Sequence, residues 1–263
     1  MTPRARGEKG SGADLDAPGP HCYARGMPRP RRAAEGGLIY HTLNRANARL
    51  AIFEDDEDYA AFERVLAQAI ARDGMRLLAY CLMPNHFHLL LWPREDGDLP
   101  RFMRWLTMTH TQRWHAHHRT AGTGHLYQGR YKSFPVESDE HFLTVCRYVE
   151  RNALRAGLVE RAEDWRWGSL HARRAKEAAE RPAVAAWPIE RPRDWTARVN
   201  RAFGAREEEA VQRSVRRGQP FGSETWRTAV AARLGLDDPF RLSPGKGWTS
   251  SSQSSTPLKR GAV

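Results

Sequence analysis

The stretch Tyr80-Cys81-Leu82-Met83-Pro84-Asn85-His86-Phe87-His88-Leu89-Leu90-Leu91-Trp92 constrains this chain more than any other. It reads as two apolar strands joined at Pro84-Asn85, with two histidines opening the second strand. Side chains in a strand alternate faces, so His86 and His88 project together from one side. Phe87, Leu89 and Leu91 project from the other and can fill a core. Spacing alone leaves two readings of the pair open. Imidazoles at adjacent same-face positions can hold a divalent ion. A solvated or hydrogen-bonded pair on a half-exposed sheet gives the same pattern.

The flanking sequence builds a mixed architecture around this hairpin. Residues 37–45 read as a first strand that ends in the polar cluster Asn44-Arg45-Ala46-Asn47. Residues 55–73 form an amphipathic helix with Tyr59, Phe62, Val65, Leu66, Ala69 and Ile70 at helical spacing. Acidic residues stand at its start, where the helix dipole favours anions, and Gly74 closes it. Met75–Met83 and His86–Trp92 are the second and third strands, and residues 99–118 a second helix. His110, His115, His117 and His118 decorate the end of that helix and read as a solvated, partly basic face. Residues 127–136 interleave basic and aromatic residues in a fourth strand, with Arg130 and Lys132 on one face and Tyr131 on the other. Those cations suit phosphate contacts, and equally suit an edge strand guarded against aggregation.

A third helix spans residues 139–156. Phe142, Val145, Cys146 and Val149 make its buried stripe, while Tyr148 and Asn152, four residues apart, point together along another face. The order strand, helix, strand, strand, helix, strand predicts an α+β fold of the ferredoxin-like split βαβ type. Its antiparallel sheet carries helices on one face, with the third helix lying across the histidines. Four segments are expected along the chain: a disordered basic lead (1–36), the main domain (37–170), a helical appendage (171–242) and a disordered tail (243–263). Met27 reads as an alternative start. Within the appendage, Thr196–Phe203, Glu207–Arg217 and Ser223–Leu234 read as helices, for packing or for DNA contact.

Composition narrows the partners. The 263 residues carry 42 Lys and Arg against 31 Asp and Glu, a formal charge of +11. Such a surplus attracts polyanions, nucleic acid first among them. Cys22, Cys81 and Cys146 have no paired spacing, which argues against a disulfide framework or a cysteine-based zinc site. No run approaches the roughly 18 apolar residues of a membrane span, so a soluble, cytoplasmic protein is expected.

Two histidines, an amide and a phenol beside a basic surface would support phosphoryl transfer. An ion at His86 and His88 would polarise a phosphodiester, and Tyr148 would attack phosphorus and form a covalent phosphotyrosine. Such an exchange needs no nucleotide triphosphate, and the chain has no G-x-x-x-x-G-K-[ST] loop.

Met83-Pro84-Asn85-His86-Phe87-His88-Leu89-Leu90-Leu91 resembles the His-hydrophobe-His (HUH) motif of single-tyrosine transposases acting on single-stranded DNA. More narrowly, the chain resembles the REP-associated tyrosine transposases of bacteria. Tyr40-His41 with Asn44-Arg45-Ala46-Asn47, Gly124-His125-Leu126-Tyr127-Gln128-Gly129-Arg130-Tyr131-Lys132-Ser133, residues 148–159 and Trp165-Arg166-Trp167-Gly168-Ser169 carry the likeness further. The resemblance implies Tyr148 as the nucleophile joined to a DNA 5′-phosphate. It implies His86, His88 and Asn152 as metal ligands, Mg²⁺ or Mn²⁺ as the ion, and single-stranded or hairpin DNA as substrate. It also implies a bacterial, nucleoid-associated protein, monomeric or homodimeric. Arg45, Arg130 and Lys132 are candidate phosphate contacts by charge and placement. One departure stands out: Ala153 follows Asn152 where the family usually has proline.

Other classes are weighed against this one. A cupin would place a Glu shortly after the histidines, where Trp92 and Pro93 stand, and a barrel amidohydrolase would need a longer strand-helix repeat. A catalytically silent DNA- or RNA-binding descendant of a transposase would keep the same fold.

Overall fold

The computed structural model describes residues 34–175 and 181–236. Most of the basic lead, the whole tail and Cys22 lie outside the described residues.

Four strands form one sheet: β1 (Ile39–Arg45), β2 (Arg76–Met83), β3 (His86–Trp92) and β4 (Lys132–Val136). Their order is β2-β3-β1-β4, and every pairing is antiparallel. The histidine strand is therefore internal, fixed on both sides. On its left Cys81 opposes His88 and Met83 opposes His86; on its right Leu43 opposes His88 and Arg45 opposes His86. Residues directly opposite in a ladder share a face, so β1 delivers His41, Leu43 and Arg45 to the side that bears the histidines.

Helices α1 (Asp56–Asp73) and α2 (Asp98–His117) cover the other side. Phe62, Val65 and Leu66 of α1 meet Phe102, Met103 and Leu106 of α2 over Phe87, Leu89 and Leu91. Each such buried side chain contributes roughly 1.5–3 kcal/mol. The N-cap carboxylate of Asp55 accepts the Glu57 and Asp58 amides, and Gly74, at φ 62°, closes α1 in the left-handed conformation glycine tolerates. The first two helices thus share one face, as the strand-helix order predicts.

The histidine face is covered by α3 (Glu140–Glu150), continued after Arg151 by the short α4 (Asn152–Arg155). Phe142, Val145, Cys146 and Val149 pack there against Leu78, Cys81, Leu90 and Phe134. Cys81 and Cys146 are both buried free thiols, as their apolar surroundings predict, and burial pushes the Cys81 thiol up to about 12.

The segment Trp165–Ser169 folds back onto the edge strand β2. Trp165 Nε1 donates to the Leu82 carbonyl, the Leu82 amide donates to Trp167 O (both 2.9 Å), and the Tyr80 amide donates to Ser169 Oγ (3.1 Å). An exposed edge that would template aggregation is closed this way. Beyond α5 (Ser169–Ala172) come α6 (Trp195–Asn200), α7 (Ala205–Arg217) and α8 (Glu224–Arg233). Trp195, Val199 and Val211 enter the same core as α3, so α6 and α7 are packed on the sheet domain rather than tethered to it.

One strand is shorter than its sequence suggests. β4 begins at Lys132, whereas a strand from Tyr127 is expected; Tyr127 makes only an isolated bridge to Ala46. The Gln128 amide donates to the Arg45 carbonyl (2.9 Å), and the chain then turns through Gly129 and Arg130 before the ladder resumes.

Candidate active site

His86, His88 and Tyr148 converge between the sheet and α3. The rings of His86 and His88 lie 5.0 Å apart, nearly perpendicular, and the Tyr148 ring stands edge-on to His88 at 5.8 Å. Strand alternation places the histidines, and helical periodicity brings the tyrosine over them. Both elements are anchored by core residues on either flank, so the approach is set by packing.

Each imidazole is oriented through its Nδ1. His86 Nδ1 pairs with Asn85 Oδ1 at 2.6 Å, and His88 Nδ1 pairs with His41 Nε2 at 2.9 Å. No hydrogen bond among the described residues engages the Nε2 atom of either ring. A histidine that ligates a metal through one nitrogen commonly uses the other in such an outer contact. Burial holds the His86 ring down to about 3 and His88 well below its ordinary value, with Arg45 and Arg155 adding to the effect. Both are therefore neutral at physiological pH, with lone pairs available. The donor set suits a divalent cation.

His41 is a neighbour of His88 that the histidine motif does not reveal. It lies on β1, between Phe134 (4.8 Å) and His88 (5.1 Å), is almost wholly buried, and is itself held down to about 3 by burial. Its part depends on the β1–β3 register, which no local pattern encodes.

Asn152 comes to the site by a less direct route. Its Nδ2 donates to the carbonyls of Tyr148 (2.9 Å) and Val149 (3.4 Å), and its Oδ1 accepts from Arg155 NH2 (3.1 Å). An asparagine side chain that takes a preceding carbonyl competes with the helix backbone, and the helix breaks here, at Arg151. Its amide oxygen thus already accepts one hydrogen bond. Clusters of three His, Cys or carboxylate ligands occur elsewhere among the described residues, at Asp58–His117–His118 and at Glu137–Asp139–His141.

Tyr148 is only 5% exposed. Burial raises its pKa, and the Arg155 guanidinium, 5.6 Å over its ring, acts in the opposite sense, as do Arg216 and Arg45. Arg155 also reaches Glu208 of α7 (3.4 Å). On the far side of Tyr148, Phe203 packs edge-on at 6.4 Å.

Arg45 and Lys132 share this face. Arg45 opposes His86 and Lys132 opposes Leu43; burial lowers the pKa of both, with Arg49 adding to the effect on Arg45 and Arg45 to that on Lys132. Arg130, expected on the same strand face as Lys132, instead sits in the exposed turn before β4. The strand placement fails because β4 starts two residues later.

Residues 35–152 match the sequence model of one family, described as transposase, IS200 like. No curated protein matches the chain. Among solved structures, one similar to this chain is described as a REP-associated tyrosine transposase bound to a REP hairpin. It shares 16% identity at a TM-score of 0.47, covering 61% of this chain and all of that one. A second, from Deinococcus radiodurans R1 and carrying a provisional transposase label, shares 23% identity at a TM-score of 0.35. That match covers 47% of this chain and 96% of the other.

Proposed function

We propose that the chain, whose residues 35–152 match the sequence model of IS200-like transposases, is a metal-dependent enzyme that nicks and rejoins single-stranded, hairpin-forming DNA through Tyr148. The observation that carries this reading is the edge-on approach of the Tyr148 ring to His88 at 5.8 Å, on a face that also holds Arg45 and Lys132.

In this reading Tyr148 Oη attacks a phosphodiester. The Oη–P bond forms as the P–O3′ bond breaks, leaving the 5′-phosphate on the tyrosine. The departing 3′-oxygen leaves as a hydroxyl, and the phenolic proton passes to it through solvent. Reversal by another 3′-hydroxyl rejoins the strand without a triphosphate. A divalent ion, Mg²⁺ or Mn²⁺, held by the Nε2 atoms of His86 and His88 would polarise the phosphodiester and offset its developing charge. Asn152 is the candidate third ligand, once Arg155 releases its Oδ1. Arg45 and Lys132, with Arg130 from the adjoining turn, bind backbone phosphates and fix the register of the strand. Arg155, over the tyrosine ring, favours the phenolate against the burial that opposes it.

One observation favours a second reading, a catalytically silent DNA- or RNA-binding protein. Asn152 is engaged by Arg155 and Tyr148 is covered, so the ligand set is not assembled around a free nucleophile. A cleavage assay separates the two. Labelled single-stranded hairpin DNA from the chain's own genomic neighbourhood is nicked with Mn²⁺ or Mg²⁺ and left whole with chelator or with Tyr148→Phe. Tight binding without cleavage, across both metals and several native repeats, supports the silent binder.

A further inference from the structure

On the opposite side of the sheet, the start of α1 and the end of α2 meet at a cluster that the proposed reaction does not use. His118 Nε2 donates to Asp58 Oδ1 at 2.9 Å. His117 adds a third donor, and the three ligand atoms all lie within 4.8 Å of one another. The two helices run antiparallel, with Arg101 of α2 reaching Asp73 at the other end of α1 (3.4 Å). The cluster therefore sits where the chain closes its helical layer.

The donors are held in place by independent contacts. Asp58 is 4% exposed, and its Oδ2 accepts the Glu54 amide at 3.0 Å, which turns Oδ1 toward α2. The Trp114 ring stacks on His118 at 4.2 Å with an interplanar angle of 29°. His117 is exposed and its ring stands perpendicular to that of His118, at 5.0 Å. A buried carboxylate, a partly buried imidazole and an exposed imidazole thus converge from two elements, with one side open to solvent.

We propose that Asp58, His117 and His118 form a zinc site, separate from the His86–His88 pair. Two imidazoles and one carboxylate suit tetrahedral Zn²⁺, whereas Mg²⁺ and Ca²⁺ favour all-oxygen sets. With zinc–ligand bonds of about 2.0–2.1 Å, neighbouring ligand atoms in a tetrahedron stand about 3.3 Å apart. The observed spacings, from 2.9 Å to at most 4.8 Å, bracket that value. The exposed His117 ring supplies the adjustment by changing rotamer. On binding, His118 exchanges its Nε2 proton for one on Nδ1 through solvent, remaining neutral, and the ion takes the proton's place between Nε2 and Asp58 Oδ1. Water fills the fourth position from the solvent side. The ion then clasps α1 to α2 behind the strand that carries the histidine pair. This inference stands whether or not Tyr148 cleaves DNA.

The test uses the full-length protein, stripped with chelator and titrated with Zn²⁺ against a chromophoric competitor, with Co²⁺ as the spectroscopic substitute. Wild-type protein gives a tetrahedral cobalt spectrum and a zinc-dependent rise in melting temperature. His117→Gln, at an exposed position that leaves the fold intact, loses both. Its zinc affinity falls by at least the roughly 10–100-fold that losing even an outer contact costs. A variant carrying His86→Ala and His88→Ala keeps the cobalt spectrum and the thermal shift. Absence of zinc binding in the wild type, unchanged binding in His117→Gln, or loss of the spectrum in the His86/His88 variant each overturns the proposal.

Discussion

His41 Nε2 lies 2.9 Å from His88 Nδ1, joining the first strand of the sheet to the second histidine of the motif. For His88 to offer its Nε2 lone pair, its proton must sit on Nδ1 and be donated to His41. His41 then carries its own proton on Nδ1. His41→Phe leaves the His88 proton buried without an acceptor, at a cost of about 1–3 kcal/mol. Divalent-metal affinity at the pair falls by roughly 10–100-fold, measured by Mn²⁺ titration, and His41→Gln, which restores an acceptor, recovers part of it. Equal affinity in wild type and His41→Phe would remove His41 from the site.

His110 offers a pH test away from the site. It is buried against Tyr127, with Nδ1 2.7 Å from the phenol oxygen, and burial holds it at about 3. The unfolded chain takes up a proton near pH 6.5 and the native protein does not until about pH 3. The stabilisation is therefore complete above pH 6.5 and is lost as pH falls through that window. The slope from this one residue reaches about 1.4 kcal/mol per pH unit. Urea unfolding of wild type and His110→Gln between pH 4 and 7 should show a shallower decline in the variant. Parallel curves contradict the assignment.

Lys132, on the histidine face, predicts a salt signature. Lys132→Gln weakens DNA binding evenly across sequences and lowers the log–log salt slope by about one. Fluorescence anisotropy at several salt concentrations measures it. A sequence-dependent loss with an unchanged slope would move Lys132 from phosphate contact to base reading.

Arg155 donates to Asn152 Oδ1, the oxygen proposed as the third metal ligand. Its pair with Glu208 is largely solvated and is worth roughly 0–1 kcal/mol, so Arg155→Ala should melt close to the wild type. With Asn152 Oδ1 released, Mn²⁺ binding at the histidine pair strengthens, read by electron paramagnetic resonance titration. If Arg155→Ala binds Mn²⁺ as the wild type does, Asn152 is not the third ligand.

Much of this molecule was legible because its periodicities are unambiguous. Alternation across His86–Trp92 separates the histidines from Phe87, Leu89 and Leu91, and the apolar spacing of residues 59–70 marks α1 to within a residue. Tyr148 stands on α3, which crosses the histidines, whereas Asn152 falls in α4, because the single helix expected over residues 139–156 divides at Arg151. What stayed hidden depends on long-range pairing. His41 reaches His88 only through the β1–β3 register. Arg130 left its expected strand because the Arg45 carbonyl captures the Gln128 amide and turns the chain early. The histidines at the end of α2 read as a solvated face, but His110 is buried against Tyr127 and His118 meets Asp58, 60 residues away.

Capture of the covalent intermediate tests the central claim most directly. The full-length protein is incubated with labelled single-stranded hairpin DNA and Mn²⁺, denatured, digested and mapped by mass spectrometry. The account predicts a DNA 5′-phosphate on Tyr148, absent with chelator and absent in Tyr148→Phe, which retains wild-type DNA affinity. An adduct on another residue, or undiminished adduct in Tyr148→Phe, would contradict it.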